Sequence, residues 1–389
     1  MSEFPLMVDD AAGNIPRLSL NISNRYLVNP PCPAHCEIGV LKGEGIGPEV
    51  IDATLTVLSA IQSVSNVTFE IHFGGCIGVE SAKITGNPLS DQVISFCETI
   101  FARGGAVLSG PGGGRYVYDL RKHFDLFCKL NPLSVHKELR NVGRLKPEYT
   151  DGVDMIVVRE NVAGIYQGEW TVHTSPAGTK SASHRFSYSW DEVARIVEVA
   201  MKISTQRRGQ LAVVVKANGI PGISDLWLNC ARNLAKNYDV NLAELDIDHA
   251  AYSMIQHAKE LDVVVTPNLV GDILSDLGGV LLGSRGLCYG GSFSASGCAV
   301  YQTNHGAAYD LAGTDRANPV AQILSLAMML RESFGLTKEP GLIELAVRKL
   351  WTEGFRTKDI REPQCRIIGT RETGERVAGI VLKLGDGQN

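Results

Sequence analysis

LDVVVTPNLVGDILSDLGG, Leu261 to Gly279, opens on an apolar run and closes on two aspartates, Asp272 and Asp276, four residues apart. The run is rich in valine and stops at Pro267, which reads as a buried strand of a parallel sheet, and the residues after the proline read as a helix. Strand then helix is the repeating unit of an α/β fold. Four residues on a helix is about one turn, so both carboxylates share a face. Aspartates in the first turn of a helix oppose its macrodipole, and that structural reading is sufficient for the pair taken alone. It weakens if charged residues at comparable strand ends converge on the same point.

Such residues are present. The runs VDMIVVREN, QLAVVVKAN and VNLAELDID end in charge: Val157 and Val158 lead into Arg159, Val213 to Val215 into Lys216, and Leu245 to Ile247 into Asp248. In open α/β sheets, ligands bind off the carboxyl ends of strands, so this repetition is what a site produces. Singly, Arg159 pairs with an acid such as Glu160, Lys216 snorkels, and Asp248 caps a helix starting at His249. Together, Asp248, Asp272 and Asp276 form a hard oxygen set suited to Mg²⁺ or Mn²⁺.

The wider chain supports this class. Its 389 residues suit about two domains. Apolar residues make up 44% and charged residues 20%, as in ordinary globular proteins, and 41 glycines imply many tight turns. A net charge of −5, with no basic cluster interleaved with aromatics, argues against a nucleic-acid partner. No apolar run reaches the roughly 18 residues that span a bilayer and no signal peptide is evident, so a soluble cytoplasmic protein is expected. Nine cysteines without a C-x-x-C pair read as reduced thiols. CPAHC, Cys32 to Cys36, lacks a second half at zinc spacing and reads as a loop. Residues 1–35 show no periodicity and read as an N-terminal arm. In CEIGVLKGEGIGPEV a strand meets a glycine turn and a helix with Pro48 in its first turn. Gly43, Gly45 and Gly47 fail the dinucleotide fingerprint, because Pro48 stands where its last glycine belongs.

GEGIGPEV, DLRKHFDLF, VVRENVAGIYQGE, VVVKAN, TPNLVGDILSDLGG and NHGAAYDLAGTDRANPVAQILSLAMML, in this order over about residues 36–385, resemble the motifs of the β-decarboxylating dehydrogenases, the isocitrate and 3-isopropylmalate dehydrogenase family. The resemblance implies a two-domain α/β fold with a non-Rossmann nucleotide site. A discontinuous large nucleotide-binding domain joins 36–127 to 283–389, and 128–282 forms the metal, substrate and dimerisation domain. It implies oxidation of a 2-hydroxy acid by NAD with a divalent ion, then loss of the C3 carboxylate as CO2. Lys216 matches the base on the hydroxyl and Tyr166 the proton donor to the enolate. Asp248, Asp272 and Asp276 match the metal ligands, and Arg121 and Arg159 match carboxylate-binding arginines, whose fixed fork of donors suits that task. The family builds each site from two chains, so Lys216, Asn218 and Asp248 come from a neighbouring subunit and a homodimer is expected. Asp310 matches the acid that NAD users place on the adenosine ribose, with Leu311 beside it. His305, Gly306 and Asn318 are expected to line the adenine pocket, and Ala308 and Asn268 complete the cofactor-binding set. Tyr309 replaces the family's usual proline.

The pattern breaks at the substrate. The family's NLRP reads KLNP here, so Asn131 stands where an arginine grips a carboxylate. Lys129, two residues earlier on the same strand face, or Arg115 in GPGGGRYVYDLRK supplies the missing charge. The expected substrate is a 3-substituted malate outside the leucine and citrate pathways, with an anionic side group as in homoisocitrate or a phosphonomethylmalate, met by Arg115 and glycine amides. Against this stands the reading that Arg115 makes a surface salt bridge and Asn131 holds a water. Two other classes stay open. A catalytically silent regulatory subunit of a hetero-oligomeric isocitrate-type dehydrogenase is opposed by retention of Tyr166, Lys216 and the three aspartates. A redox-free metal lyase has no need of the HGAAYD loop.

Overall fold

A computed structural model of the chain describes residues 34–386. Twelve of its strands organise it: β1 (His35–Leu41), β2 (Thr68–Phe73), β3 (Ala106–Ser109), β4 (Cys128–Ser134), β5 (Asp154–Glu160), β6 (Glu169–Thr174), β7 (Lys180–Arg185), β8 (Gln210–Val215), β9 (Asn241–Asp246), β10 (Val263–Thr266), β11 (Tyr289–Phe293) and β12 (Ala299–Thr303). Ten form one mixed sheet in the order β2-β1-β3-β12-β11-β4-β5-β10-β8-β9. Both flanks are parallel, and the centre turns antiparallel where β11 pairs with β12 and β4, and β4 with β5. The valine runs of β5, β8 and β10 are buried on both faces, as continuous apolar strands in covered sheets must be.

The helix Gly47–Val64 carries Pro48 in its first turn, where the missing N–H costs nothing, and buries Val50, Ile51, Val57, Leu58 and Ile61 along one stripe. It lies against the helix Thr370–Asp386, so the two ends of the described chain pack together. β6 and β7 stand apart as a two-stranded hairpin whose residues are all exposed, including Trp170 and Val172. No helix among the described residues is long and apolar enough to cross a membrane. The eight cysteines there are free thiols.

Three sequence readings change. The helix carrying the paired aspartates runs Asn268–Leu282, so its first turn holds no acid and Asp272 and Asp276 lie deeper. The dipole effect fades within the first turn, so it does not explain them. The helix after β9 starts at Ile247, which puts Asp248 inside its first turn instead of at its cap. The arm's last residue, His35, already belongs to β1, as does Cys36 of CPAHC, whose side chain is buried; residues 1–33 lie outside the described part.

His136, at the end of the β4 segment, packs its ring 5.1 Å from that of Trp351. Burial pushes its pKa down to about 4. The unfolded chain therefore takes up the proton first, near its ordinary value of about 6.5, so this group's contribution is present above that pH and is lost as pH falls toward 4. The residue as a whole is only partly buried, which tempers the effect to about 2 kcal/mol. Thermal melts between pH 7 and pH 4.5 are expected to fall less steeply for His136→Leu than for the natural chain. Parallel slopes would count against this assignment.

Candidate active site

Because β4 runs antiparallel to β5, its first residues lie beside the last of β5, and the register sets Lys129 directly opposite Arg159. The helix Tyr116–His123 adds Arg121. All three cations are buried, at 5% (Arg121), 3% (Lys129) and 2% (Arg159) exposure. Like charges opposite each other in a sheet destabilise it unless an anion joins them. Arg159 is satisfied: Nε and Nη2 donate to Asn268 Oδ1 at 3.0 and 2.8 Å, and Nη1 donates to Asp272 Oδ1. Gly271 permits this approach, since an added Cβ would come within 2.7 Å of the Arg159 side chain. The other two cations have no such arrangement. Among the described residues neither Lys129 nor Arg121 pairs with a carboxylate, and Arg121 Nε is buried without a partner. Burial first, then the neighbouring Arg159, pushes Arg121 down to about 10; burial, Arg121 and Arg159 push Lys129 well below its ordinary value.

Asn131 shares the strand face of Lys129 but turns its amide nitrogen toward β11. It is fully buried, and its amide donates to Asn304 Oδ1 at 2.7 Å and toward the Tyr289 carbonyl at 3.4 Å, on the β11 side of the strand. Arg115 is occupied as well. Its guanidinium donates to the Tyr166 carbonyl at 3.1 Å, lies 5.4 Å from the Tyr118 ring and 5.2 Å from Trp170, and comes within 3.8 Å of Asp119. Arg115 thus braces the Tyr166 turn while its side chain stays 44% exposed.

That turn is a short 3-10 segment, Ile165–Gln167, entered through Gly164 at φ 73°. Only glycine fits there, because a Cβ would collide with the Tyr188 hydroxyl. It delivers the Tyr166 hydroxyl to Asp272 Oδ2 at 2.7 Å. Burial, then Asp272, raises the phenol pKa, so the hydroxyl keeps its proton. Asn268, expected in the cofactor set, is 1% exposed and spends its side chain on Arg159 and the Ala163 carbonyl.

A second cluster forms at the ends of β8 and β9. Lys216 donates to Asp248 and lies 3.6 Å from Asp246, with Asn218 exposed in the next turn. Asp248 raises the Lys216 pKa and Lys216 lowers that of Asp248. Asp276 pairs with Arg285 at 2.8 Å, a partner that no sequence motif singles out. Asp248, Asp272 and Asp276 do not converge in one chain. Among the described residues the one group of three metal-type side chains drawn together is His35, Glu37 and Glu70, at the exposed β1–β2 edge. It is an ion-pair ladder: His35 meets Glu70 at 2.9 Å, His72 meets Glu37, and Arg103 lies 3.7 Å from Glu37.

The glycine turn after β1 is where two further loops meet. Gly43 (φ 78°) leaves no room for a Cβ beside the Pro111 carbonyl, and Gly45 (φ 59°) none beside that of Ala307. Between them Glu44 accepts from Gly113 N at 2.7 Å, from Glu80 N, and from the Tyr309 hydroxyl at 3.1 Å. Burial opposes the charge, yet the backbone donors of Gly113, Glu80 and Val79 hold its carboxyl below the usual range. Tyr309 in place of proline thus ties the 305–311 loop to the glycine-rich segment. In that loop His305 is neutralised by burial, Gly306 borders open space, Ala308 adopts a positive φ of 41° and Asp310 is exposed. Asn318 spends both ends of its amide on Asp359 and Val320 N.

The sequence model of the isocitrate/isopropylmalate dehydrogenase family matches residues 37–377. The chain belongs to that family. A 3-isopropylmalate dehydrogenase of Aquifex aeolicus is 37% identical over 364 residues, covering 90% of this chain and 98% of its own. Another, from Geobacillus kaustophilus, is 37% identical over 359 residues, covering 89% and 95%. The crystal structure of isocitrate dehydrogenase from Methylococcus capsulatus superposes with a TM-score of 0.79 at 28% identity, covering 89% of this chain and 99% of that one. The α/β architecture with its large mixed sheet is therefore the isocitrate/isopropylmalate dehydrogenase fold.

This family member carries donors that suit the groups its relatives imply. Although burial opposes it, Arg159 keeps Asp272 ionised, and Lys216 does the same for Asp248. Ionised carboxylate oxygens are what a hard divalent cation requires. Asp310 is exposed, with a carboxylate free to accept a hydroxyl donor, and a Cβ at Gly306 would meet nothing within 4 Å.

Proposed function

We propose that the protein oxidatively decarboxylates a 3-substituted malate, using NAD and Mg²⁺ or Mn²⁺, as a homodimer with shared sites. The observation that carries this reading is the buried trio Arg121, Lys129 and Arg159 beside Asp272 and Tyr166, a place for a polycarboxylate that reacts. When bound, the divalent ion would be held by Asp272, Asp276 and the partner's Asp248 and would acidify the substrate hydroxyl, and NAD would take the hydride. Lys216 removes the hydroxyl proton as the C2 hydrogen leaves with its electron pair. The C3–carboxylate bond then breaks, its electrons become those of the enolate, and CO2 departs. Tyr166 returns a proton to C3 from a hydroxyl whose raised pKa keeps it protonated until then. In the single chain Asp248 holds the proton on Lys216, so the base role belongs to an assembly in which Asp248 turns to a cation instead.

Physical arguments favour the dimer. A two-stranded hairpin with no sheet or helix beneath it is marginal in water, and β6–β7 is such a hairpin. The helix Asn268–Leu282 also exposes Leu269, Ile273 and Val280, and Tyr252 is exposed on the helix Ile247–Gln256. Apolar side chains exposed together mark an interaction surface. The division into residues 36–127 with 283–389 and residues 128–282 belongs to the same proposal, with β11 and β4 as the seam.

The test is NADH formation with Mg²⁺ or Mn²⁺ and a panel of 3-isopropylmalate, isocitrate, tartrate and malate. The kcat/KM for NAD is expected to exceed that for NADP by about 100-fold, and Asp310→Asn to erode the preference about tenfold. An NADP preference in the natural chain would contradict the role given to Asp310.

A further inference from the structure

We propose that Lys129, together with Arg121, anchors a carboxylate of the substrate in place of residue 131; this rests on the malate reading above. Residue 131 spends its amide nitrogen on Asn304 and the β11 backbone, and its Oδ1, buried without a partner, is an acceptor that cannot bind a carboxylate; Arg115 is held by Tyr166, Asp119 and two aromatic rings. Lys129 is more than nine-tenths buried, stands opposite Arg159 across the β4–β5 ladder, and makes no ion pair within 4 Å among the described residues, Asp272 and Asp276 acting on it only from farther off. Arg121 beside it has a buried Nε without an acceptor. Two unpaired cations in a low-dielectric site are retained against their desolvation cost only if an anion completes them. Side chains at 129 and 131 share a strand face but sit roughly 7 Å apart along the strand. The pocket's cation is thus shifted toward the ends of β5 and β10, where Arg159 and Asp272 lie. An ammonium is also a compact point charge, so Lys129 would hold one carboxylate oxygen where a guanidinium would bracket two.

The experiment is calorimetric binding of 3-isopropylmalate, isocitrate and malate, each with Mg²⁺, to the full chain and to Lys129→Met and Lys129→Arg. Lys129→Met is expected to weaken the best ligand by about 30-fold or more, and Lys129→Arg by no more than about fivefold. Ligand-free Lys129→Met is expected to melt higher than the natural chain, since an apolar isostere relieves an unpaired buried charge, whereas a merely structural lysine would leave a less stable variant. Binding by Lys129→Met within twofold of the natural chain, or equal losses in both variants, overturns the proposal. If binding depends on Lys129 but no NADH forms, the reaction reading fails and the anchor stands. If the natural chain binds none of the three, both fail.

Discussion

Lys216→Met is expected to lower kcat on a 3-substituted malate by about 10³-fold or more, because it removes the group assigned to take the hydroxyl proton. Substrate binding in the presence of Mg²⁺ should change far less, since the cations of the pocket, Arg121, Lys129 and Arg159, belong to other elements of the fold. Stopped-flow measurement of the first NADH turnover, alongside calorimetric binding, separates the two effects. Equal losses in binding and turnover would recast Lys216 as a substrate contact, and unchanged turnover would remove it from the mechanism.

Asp272→Asn is the second large effect. Asp272 is where the cluster closes: one oxygen accepts from Arg159 and the other from Tyr166. Neutralising it removes a proposed metal ligand, the counter-charge of a buried arginine and the partner of the proposed proton donor. Activity is expected to fall by about 10³-fold and the response to Mg²⁺ to disappear. Stability should fall by about 2 kcal/mol, because Arg159 is left buried with less compensation, although the partial exposure of Asp272 softens the loss. A variant that keeps its activity and metal dependence would exclude Asp272 from the metal site. The pair of variants also tests the shared site. In a mixture of refolded Lys216→Met and Asp272→Asn chains, hybrid dimers would combine an intact Asp272 with the partner's intact Lys216. About a quarter of the natural activity is then expected from two inactive proteins at equal amounts. No recovery would place each site within one chain.

Much of this architecture was legible in the sequence, because it is written in local patterns. Valine runs closed by Arg159, Lys216 and the turn before Asp272 set the strands and the charged ends, and the spacing of Asp272 and Asp276 put both on one helix. Register and long-range contact were not legible. That Lys129 faces Arg159 results from antiparallel pairing of β4 with β5, which no local period announces. Glu44 joins Gly113 and Tyr309 across 69 and 265 residues of sequence, and Arg285 reaches Asp276 only because the chain turns back after the helix Asn268–Leu282. The dipole explanation of the paired aspartates failed for a simpler reason: the helix begins at Asn268, immediately after Pro267, and not at the acids. For Arg115 the local partners Tyr118 and Asp119 are within one helical turn, whereas the Tyr166 carbonyl and the Trp170 ring are about fifty residues away along the chain and left no mark in the local pattern.

The most direct test of the central claim measures NADH and CO2 together, with the purified chain, NAD, Mg²⁺ or Mn²⁺, and each malate of the panel. Oxidative decarboxylation predicts that the two products appear in equal amounts with at least one 3-substituted malate and that both vanish when the metal is chelated. Binding of metal and NAD with neither product from any malate would contradict it, and would favour a catalytically silent subunit of a larger dehydrogenase.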